Sequence, residues 1–198
     1  DNIRSGLKLK LESRRRQQAE AAEALQKAAA DKNNTAQRIR ILEDLERNMD
    51  GYQQSVKAVM RAAGGGRLRG IIGPVAGILS VRKGYEIAIE TALGFALQNI
   101  VVQDQGCARA AITFLKEERA GRATFLPMST ISGRTLSPQE RQVLSMPGCV
   151  GVASELVEYD PQYRGIVENL LGRTVVAENL DYGIEIMRRG RHAFRLVT

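Results

Sequence analysis

From Leu7 to Asp50 the chain has neither glycine nor proline, and at residues 64–66 three glycines stand in a row. Few features restrict a fold more. The first stretch suits a long helix, and "AEAAEALQKAAADK" is built from strong helix formers. One heptad frame puts Leu11, Gln18, Leu25, Lys32 and Ile39 at a, with Leu7, Arg14, Ala21, Ala28, Thr35 and Leu42 at d. From Leu42 a cleaner frame takes over, with Leu42, Met49 and Val56 at a and Leu45, Tyr52 and Val59 at d. The change of frame is a three-residue insertion, which overwinds a coiled coil locally. "DKNNT" at 31–35 is the weakest helical stretch and a candidate break. Sixty-three helical residues would reach about 95 Å at 1.5 Å each, more than the remaining chain can cover. The expectation is a coiled-coil arm over 1–63 whose partner strand lies outside this half of the chain.

Beyond the arm the sequence reads as α+β and as an imperfect duplication. The first copy runs "YEIAIETALG", "NIVVQD", "CARAAITFLKEERAG", "RATFLP"; the second runs "YRGIVENLLG", "RTVVAEN", "YGIEIMRRGRH", "AFRLVT". Tyr85, Glu90, Leu93 and Gly94 match Tyr163, Glu168, Leu171 and Gly172 at identical spacing, and Val101–Val102 match Val175–Val176 after a four-residue offset. Each copy reads helix, strand, helix, strand. The VV strands are short and apolar on both faces, as strands covered by helices are. The expected boundaries are an arm at 1–63, a first subdomain at 64–133, a linker at 134–150 and a second subdomain at 151–198. The linker is polar and punctuated by Pro138 and Pro147, with room for one helical turn.

Charge narrows the functional classes. The net charge is +7, yet Arg188, Arg189, Arg191 and Arg195 gather in "MRRGRHAFRLVT" without an acid. Two readings of Arg67, Arg69, Arg188, Arg189 and Arg191 stand open: favourable charge at helix ends, or phosphate contact with nucleic acid. No apolar run approaches the roughly 20 residues of a membrane span, and no apolar h-region follows the first positive charges. Cys107 and Cys149 read as packed thiols in a reducing cytoplasm.

Catalytic chemistry finds no foothold. A phosphate loop needs G-x-x-x-x-G-K-[ST], and from Gly65 and Gly70 the Lys and Ser/Thr positions fall on Ile71 and Ile72. The dinucleotide fingerprint fails at Arg69. The only histidine, His192, has no Cys or carboxylate at ligand spacing, so neither metal nor cofactor is expected. Gly64, Gly65, Gly66 and Gly70 instead read as a joint that caps one helix and turns the chain.

At this point the motifs "GYQQSVKAVM", "GIIGPVAGILSV", "YEIAIETALGFALQNIVV", "AITFLKEERAGRATFLP" and "YRGIVENLLGRTVVAENLDYGIEI" together resemble the hinge of bacterial SMC (structural maintenance of chromosomes) chromosome-segregation and condensation proteins. The resemblance covers roughly residues 50–198. It implies a two-subdomain hinge that homodimerises, a returning coiled-coil arm as partner, DNA as a further partner, and a cytoplasmic, nucleoid-associated protein. It places ATP and Mg in head domains outside this sequence. Phe125, Arg195 and Val197, on the strands "RATFLP" and "AFRLVT", are the expected dimer-interface residues. The family continues past the equivalent of Thr198 with another strand, a glycine-rich segment and the returning arm. One departure stands out: Phe95 occupies a position where the family usually has glycine. The alternatives to a DNA-contacting hinge are a phosphate-ligand enzyme domain using the glycine run and a purely structural spacer.

Overall fold

The computed structural model describes residues 2–47 and 49–198, and the chain divides into two compact units, Asp1–Gly51 and Tyr52–Thr198.

The first unit is helix α1, Asn2–Arg47. It runs unbroken through "DKNNT", where the Thr35 hydroxyl donates to the Asp31 carbonyl one turn back at 2.8 Å. That bond uses the hydroxyl locally, so the polar run costs the helix little. Leu7, Leu11, Leu25, Ile39 and Leu42 are all exposed, so the apolar seam is bare in this unit. After α1 the chain turns at Asp50, whose N–H donates to the Leu45 carbonyl at 3.0 Å.

The arm was expected to extend to residue 63, but the structure ends it at this turn. The next helix, α2 (Gln54–Gly64), belongs to the second unit. Val56 and Val59, placed in the second heptad frame, are 1% and 0% exposed. They face the unit's interior where α2 packs on the following strand and on the later helix α4 (Gln105–Glu117). The Ser55 hydroxyl fixes the contact by donating to the Arg122 carbonyl at 2.6 Å.

The rest of the second unit is the duplication. The first copy has β1 (Ile71–Pro74), β2 (Leu79–Val81), α3 (Glu86–Leu93), β3 (Ile100–Val102), α4 and β4 (Phe125–Pro127). The second has β5 (Cys149–Val152), β6 (Val157–Tyr159), α5 (Arg164–Leu171), β7 (Thr174–Ala177), α6 (Leu180–Arg189) and β8 (Arg195–Val197). The sheets have the same plan, β1-β3-β4 and β5-β7-β8, with an antiparallel first pair and a parallel second pair. Both carry an irregularity at the same place, beside Gly73 and Gly151. The hydrogen bonds refine the alignment of the copies. Gln103 N–H donates to the Gly70 carbonyl at 2.9 Å, and Glu178 N–H donates to the Gly148 carbonyl at the same distance. Val101 and Val102 therefore correspond to Val176 and Ala177, an offset of three residues rather than four.

Strands β2 and β6 tie the copies together. They pair antiparallel, Leu79 with Tyr159, Ser80 with Glu158 and Val81 with Val157. Because β2 and β6 are themselves equivalent, exchanging the copies swaps the two outer pairs and maps the central Ser80–Glu158 pair onto itself. This is the geometry of an isologous two-fold contact inside one chain. The core obeys the same relation. Ile89, Leu93 and Val101 join their counterparts Val167, Leu171 and Val176 in a single buried cluster. The expected division into subdomains at 64–133 and 151–198 thus describes topology, while the core is shared.

The stretch 134–150, read as a linker, is packed and ends inside β5. Leu136 and Val143 are 4% and 3% exposed and join Val175, Ile186 and Phe194 in a second cluster. Where one helical turn was expected there is a 3-10 segment of 6 residues, Glu140–Ser145, which is about two turns.

Candidate interaction surfaces: two free sheet edges and a basic groove

The glycine run answers the phosphate question through its backbone. Gly65 and Gly66 N–H groups donate to the Arg61 and Ala63 carbonyls at 2.9 and 3.0 Å. Arg67 and Leu68 N–H groups both reach the Ala62 carbonyl, at 2.9 and 3.2 Å. Gly66 takes a left-handed φ of 75° to make this helix end. A phosphate cradle needs those N–H groups unspent, and here each satisfies α2. The expected joint at Gly64, Gly65, Gly66 and Gly70 is therefore internal to the second unit, between α2 and β1. The break between units lies near residue 51.

Gly70 serves packing. A Cβ there would collide with the Cys107 sulfur in the first turn of α4. Gly148 keeps the same relation to the Tyr182 ring in the first turn of α6. Burial is the main cause raising the thiol pKa values of Cys107 and Cys149. For Cys107, the neighbouring Asp104 adds to it. Asp104 caps α4 by accepting the Cys107 N–H at 2.9 Å, which lowers its own pKa.

The five arginines fall into two separate groups. Arg67 is committed to α4: its Nη2 donates to Glu118 Oε1 at 2.9 Å, and its guanidinium lies 5.0 Å from the Phe114 ring centroid. It borders a groove of about 480 Å³ with Arg109 and Thr113. Arg69 is exposed nearby in sequence. Arg188, Arg189 and Arg191 sit at the end of α6 and in the turn beyond it, all exposed. Their side chains make no hydrogen bond or ion pair among the described residues. Arg189 and Arg191 line a second groove, of about 820 Å³, whose other wall is the packed 137–146 segment.

Sequence reading missed that second wall. Ser137 and Glu140 form a reciprocal capping box: Ser137 N–H donates to Glu140 Oε2 at 2.7 Å, and Glu140 N–H donates to Ser137 Oγ at 3.3 Å. Glu140 also receives both arms of the Arg173 guanidinium, at 2.6 and 3.2 Å. The Arg173 hydrogen bonds are the leading cause of a carboxyl pKa lowered to about 2. The same guanidinium donates to the Thr135 and Ala193 carbonyls at 3.2 and 2.6 Å. The Ser-x-x-Glu spacing of "SPQE" was the available signal.

The expected interface residues lie on the two parallel-paired edge strands. Phe125 is half-buried on β4 and pairs with Ile100. Arg195, on β8, donates from Nη2 to the Ala92 carbonyl of α3 at 2.8 Å, bridging the copies. Val197 is 9% exposed and points into the shared core. Among the described residues β4 and β8 each have one strand neighbour, so each leaves a row of backbone groups on its outer side.

Comparison with known proteins follows this geometry. The family model described as SMC proteins Flexible Hinge Domain matches residues 68–187. The chain is 40% identical over 166 residues to the chromosome partition protein Smc of Halothermothrix orenii, covering 84% of this chain and 14% of that protein. It is 37% identical over 193 residues to Smc of Bacillus subtilis, covering 97% of this chain and 16% of that protein. The chain thus spans under a fifth of the length of these relatives. Among solved structures it is similar to an asymmetric dimer of the Geobacillus stearothermophilus SMC hinge domain, with a TM-score of 0.84 and 41% identity over 88% of this chain and 69% of that one. It is similar also to the Pyrococcus furiosus SMC hinge domain, with a TM-score of 0.56 and 29% identity over 69% of each chain.

Proposed function

Because the chain belongs to the SMC flexible hinge domain family, we propose that it is the pairing module of a chromosome partition protein. It homodimerises and so joins two coiled-coil arms. The observation that carries this reading is the likeness to a hinge whose solved form is a dimer. The outer edges of β4 and β8 supply a means, since strand edges pair readily with a second chain. Phe125 and Arg195 are the side chains beside those edges, and Val197 contributes its backbone alone. The bare apolar seam of α1 calls for a second helix, and the returning arm of the same protein fits it. ATP and Mg chemistry falls to head domains outside this segment, which itself needs no cofactor. No helix among the described residues is long and apolar enough to cross a membrane, in keeping with a cytoplasmic setting at the nucleoid.

Sedimentation equilibrium on the chain, alone and extended through the returning arm, tests the pairing. A dimer of the extended form at micromolar concentration is expected, and a strict monomer would end the proposal.

DNA contact is the second part of the reading, favoured by the unspent guanidinium groups of Arg188, Arg189 and Arg191. A gel shift at low salt should show weak, sequence-independent binding; no shift would leave a structural spacer. The rival phosphate-ligand enzyme loses support because the N–H groups of the glycine run are already bonded. Calorimetry with nucleotides should register no heat.

A further inference from the structure

The groove between the 137–146 segment and the turn after α6 has an unusual inventory of hydrogen-bonding groups. Its one carboxylate, Glu140, is spent on Arg173 and on the Ser137 N–H. The Ser145 hydroxyl proton is spent on the Gln142 carbonyl at 2.9 Å. Ser137 Oγ accepts the Glu140 N–H and keeps its own proton free. The side-chain amides of Gln139 and Gln142 and the guanidinium groups of Arg189 and Arg191 have no side-chain partner among the described residues. What remains on offer is the Ser137 hydroxyl and the amide N–H groups of Gln139 and Gln142 as donors, the amide oxygens and Ser145 Oγ as neutral acceptors, and two uncompensated positive charges flanked by Arg188 and His192.

The two walls are also held to one another. Arg173 binds Glu140 and the Thr135 carbonyl on one side and the Ala193 carbonyl on the other. Phe194, 6% exposed, lies under the turn, and Gly190 packs against its ring so closely that a Cβ would clash. Arg191 and His192 are both left-handed, with φ of 52° and 55°. Non-glycine residues adopt that region rarely and at a cost, which the surrounding contacts here sustain. A groove fixed before its ligand arrives loses less entropy on binding.

We propose that this groove seats the phosphodiester backbone of DNA, with Arg189 and Arg191 as the phosphate contacts and Gln139, Gln142 and Ser137 as neutral donors beside them. The proposal rests on the DNA reading above and assigns it to one of the two arginine groups. Arg67 is a poor candidate because Glu118 and Phe114 already hold it. An acidic segment of a protein partner would share the charge, but protein docking draws its energy from buried apolar anchors. The lining here is more polar than apolar and holds no aromatic side chain: Val143 is 3% exposed, Met146 is half-buried and Ala193 is the exposed apolar residue.

Fluorescence anisotropy with a short labelled duplex of mixed sequence, over a series of salt concentrations, tests the assignment in the full chain. Arg189→Gln with Arg191→Gln should weaken binding about tenfold at low salt and reduce the log–log salt slope by about two. Gln139→Glu with Gln142→Glu leaves every arginine in place and should also weaken binding severalfold. Arg67→Gln with Arg69→Gln should change affinity less than about twofold. Circular dichroism on each variant checks the fold, and the glutamine pair lies outside the left-handed turn. If the wild type binds duplex while both groove pairs bind as it does, the groove is wrong and the DNA reading survives. If the wild type binds no DNA at low salt, both fall. Tighter binding of polyglutamate than of duplex, abolished by the groove substitutions, would mark a protein-docking site and overturn the proposal.

Discussion

The two copies of the duplicated unit share strand order, pairing direction and core positions, yet they hold their lead-in segments differently. In each copy the equivalent residue ahead of the central strand, Gln98 or Arg173, reaches back to that segment. In the first copy Gln98 Oε1 accepts the Gln53 N–H at 2.8 Å, at the start of α2. In the second, Arg173 binds Glu140 with both arms and two further carbonyls. The helix-ending glycines diverge as well. Gly94 has φ 50° and ψ −127°, with open space where a Cβ would sit. Gly172 has an ordinary φ of −69°, but a Cβ would strike the Arg134 carbonyl. One glycine is needed for its backbone angles and the other for room. Topology is therefore common property of the copies, and attachment of the preceding chain is where they part.

The comparison breaks most readily in the core. Leu93→Ala and Leu171→Ala should each cost about 2–5 kcal/mol, because both side chains lie in the same buried cluster. Urea unfolding of either variant should remain one transition for residues 52–198. Two resolved transitions, with the unmutated copy unaffected, would show that the copies fold apart. Next in size, Gly172→Ala should cost about 1–3 kcal/mol through the clash with backbone. Gly94→Ala should cost a similar or smaller amount through its angles alone. Thermal melts of the pair, together with a d-alanine at each site by semisynthesis, separate the causes: d-alanine should rescue position 94 and not position 172.

Acid sharpens the contrast between the attachments. The Glu140 pKa is depressed when folded, to about 2 from an ordinary 4.5. Its stabilising contribution is thus complete above the unfolded value and is lost as pH falls from about 4.5 toward 2. Glu140→Gln should flatten the pH dependence of the melting temperature in that window, while Gln98→Ala should leave its shape unchanged. The smallest effect belongs to Phe95→Gly. With Phe95 85% exposed, stability should move by no more than about 0.5 kcal/mol. A larger loss would mean that the ring packs on something in solution.

The central strands and the duplication were legible because apolar runs flanked by matching helices leave few alternatives. Placing the strands one residue off followed from matching valines by type, whereas Gly70 and Gly148 fix the register through hydrogen bonds. The arm boundary was misplaced for a physical reason. Val56 and Val59 have the spacing of a coiled-coil seam, but a helix facing a globular core uses the same spacing. Gly51 was the better guide. The groove stayed hidden because "STISGRTLSPQERQVLSMPG" looks like a linker by composition. Leu136 and Val143 are its only strong anchors, and the pin from Arg173 comes from 33 residues away. No spacing rule could reveal that Arg195 reaches the Ala92 carbonyl across 103 residues.

The antiparallel contact of β2 with β6 carries a lesson about how such a molecule diversifies. Two separate but identical halves meeting on an axis must accept every change twice, once on each side. Here a continuous backbone joins the halves, so Ser80 can face Glu158 and each outer surface can alter without its mirror image. That freedom is what allows one half to acquire a rigid cationic cleft while the other fastens its lead-in helix through Gln98 and Ser55.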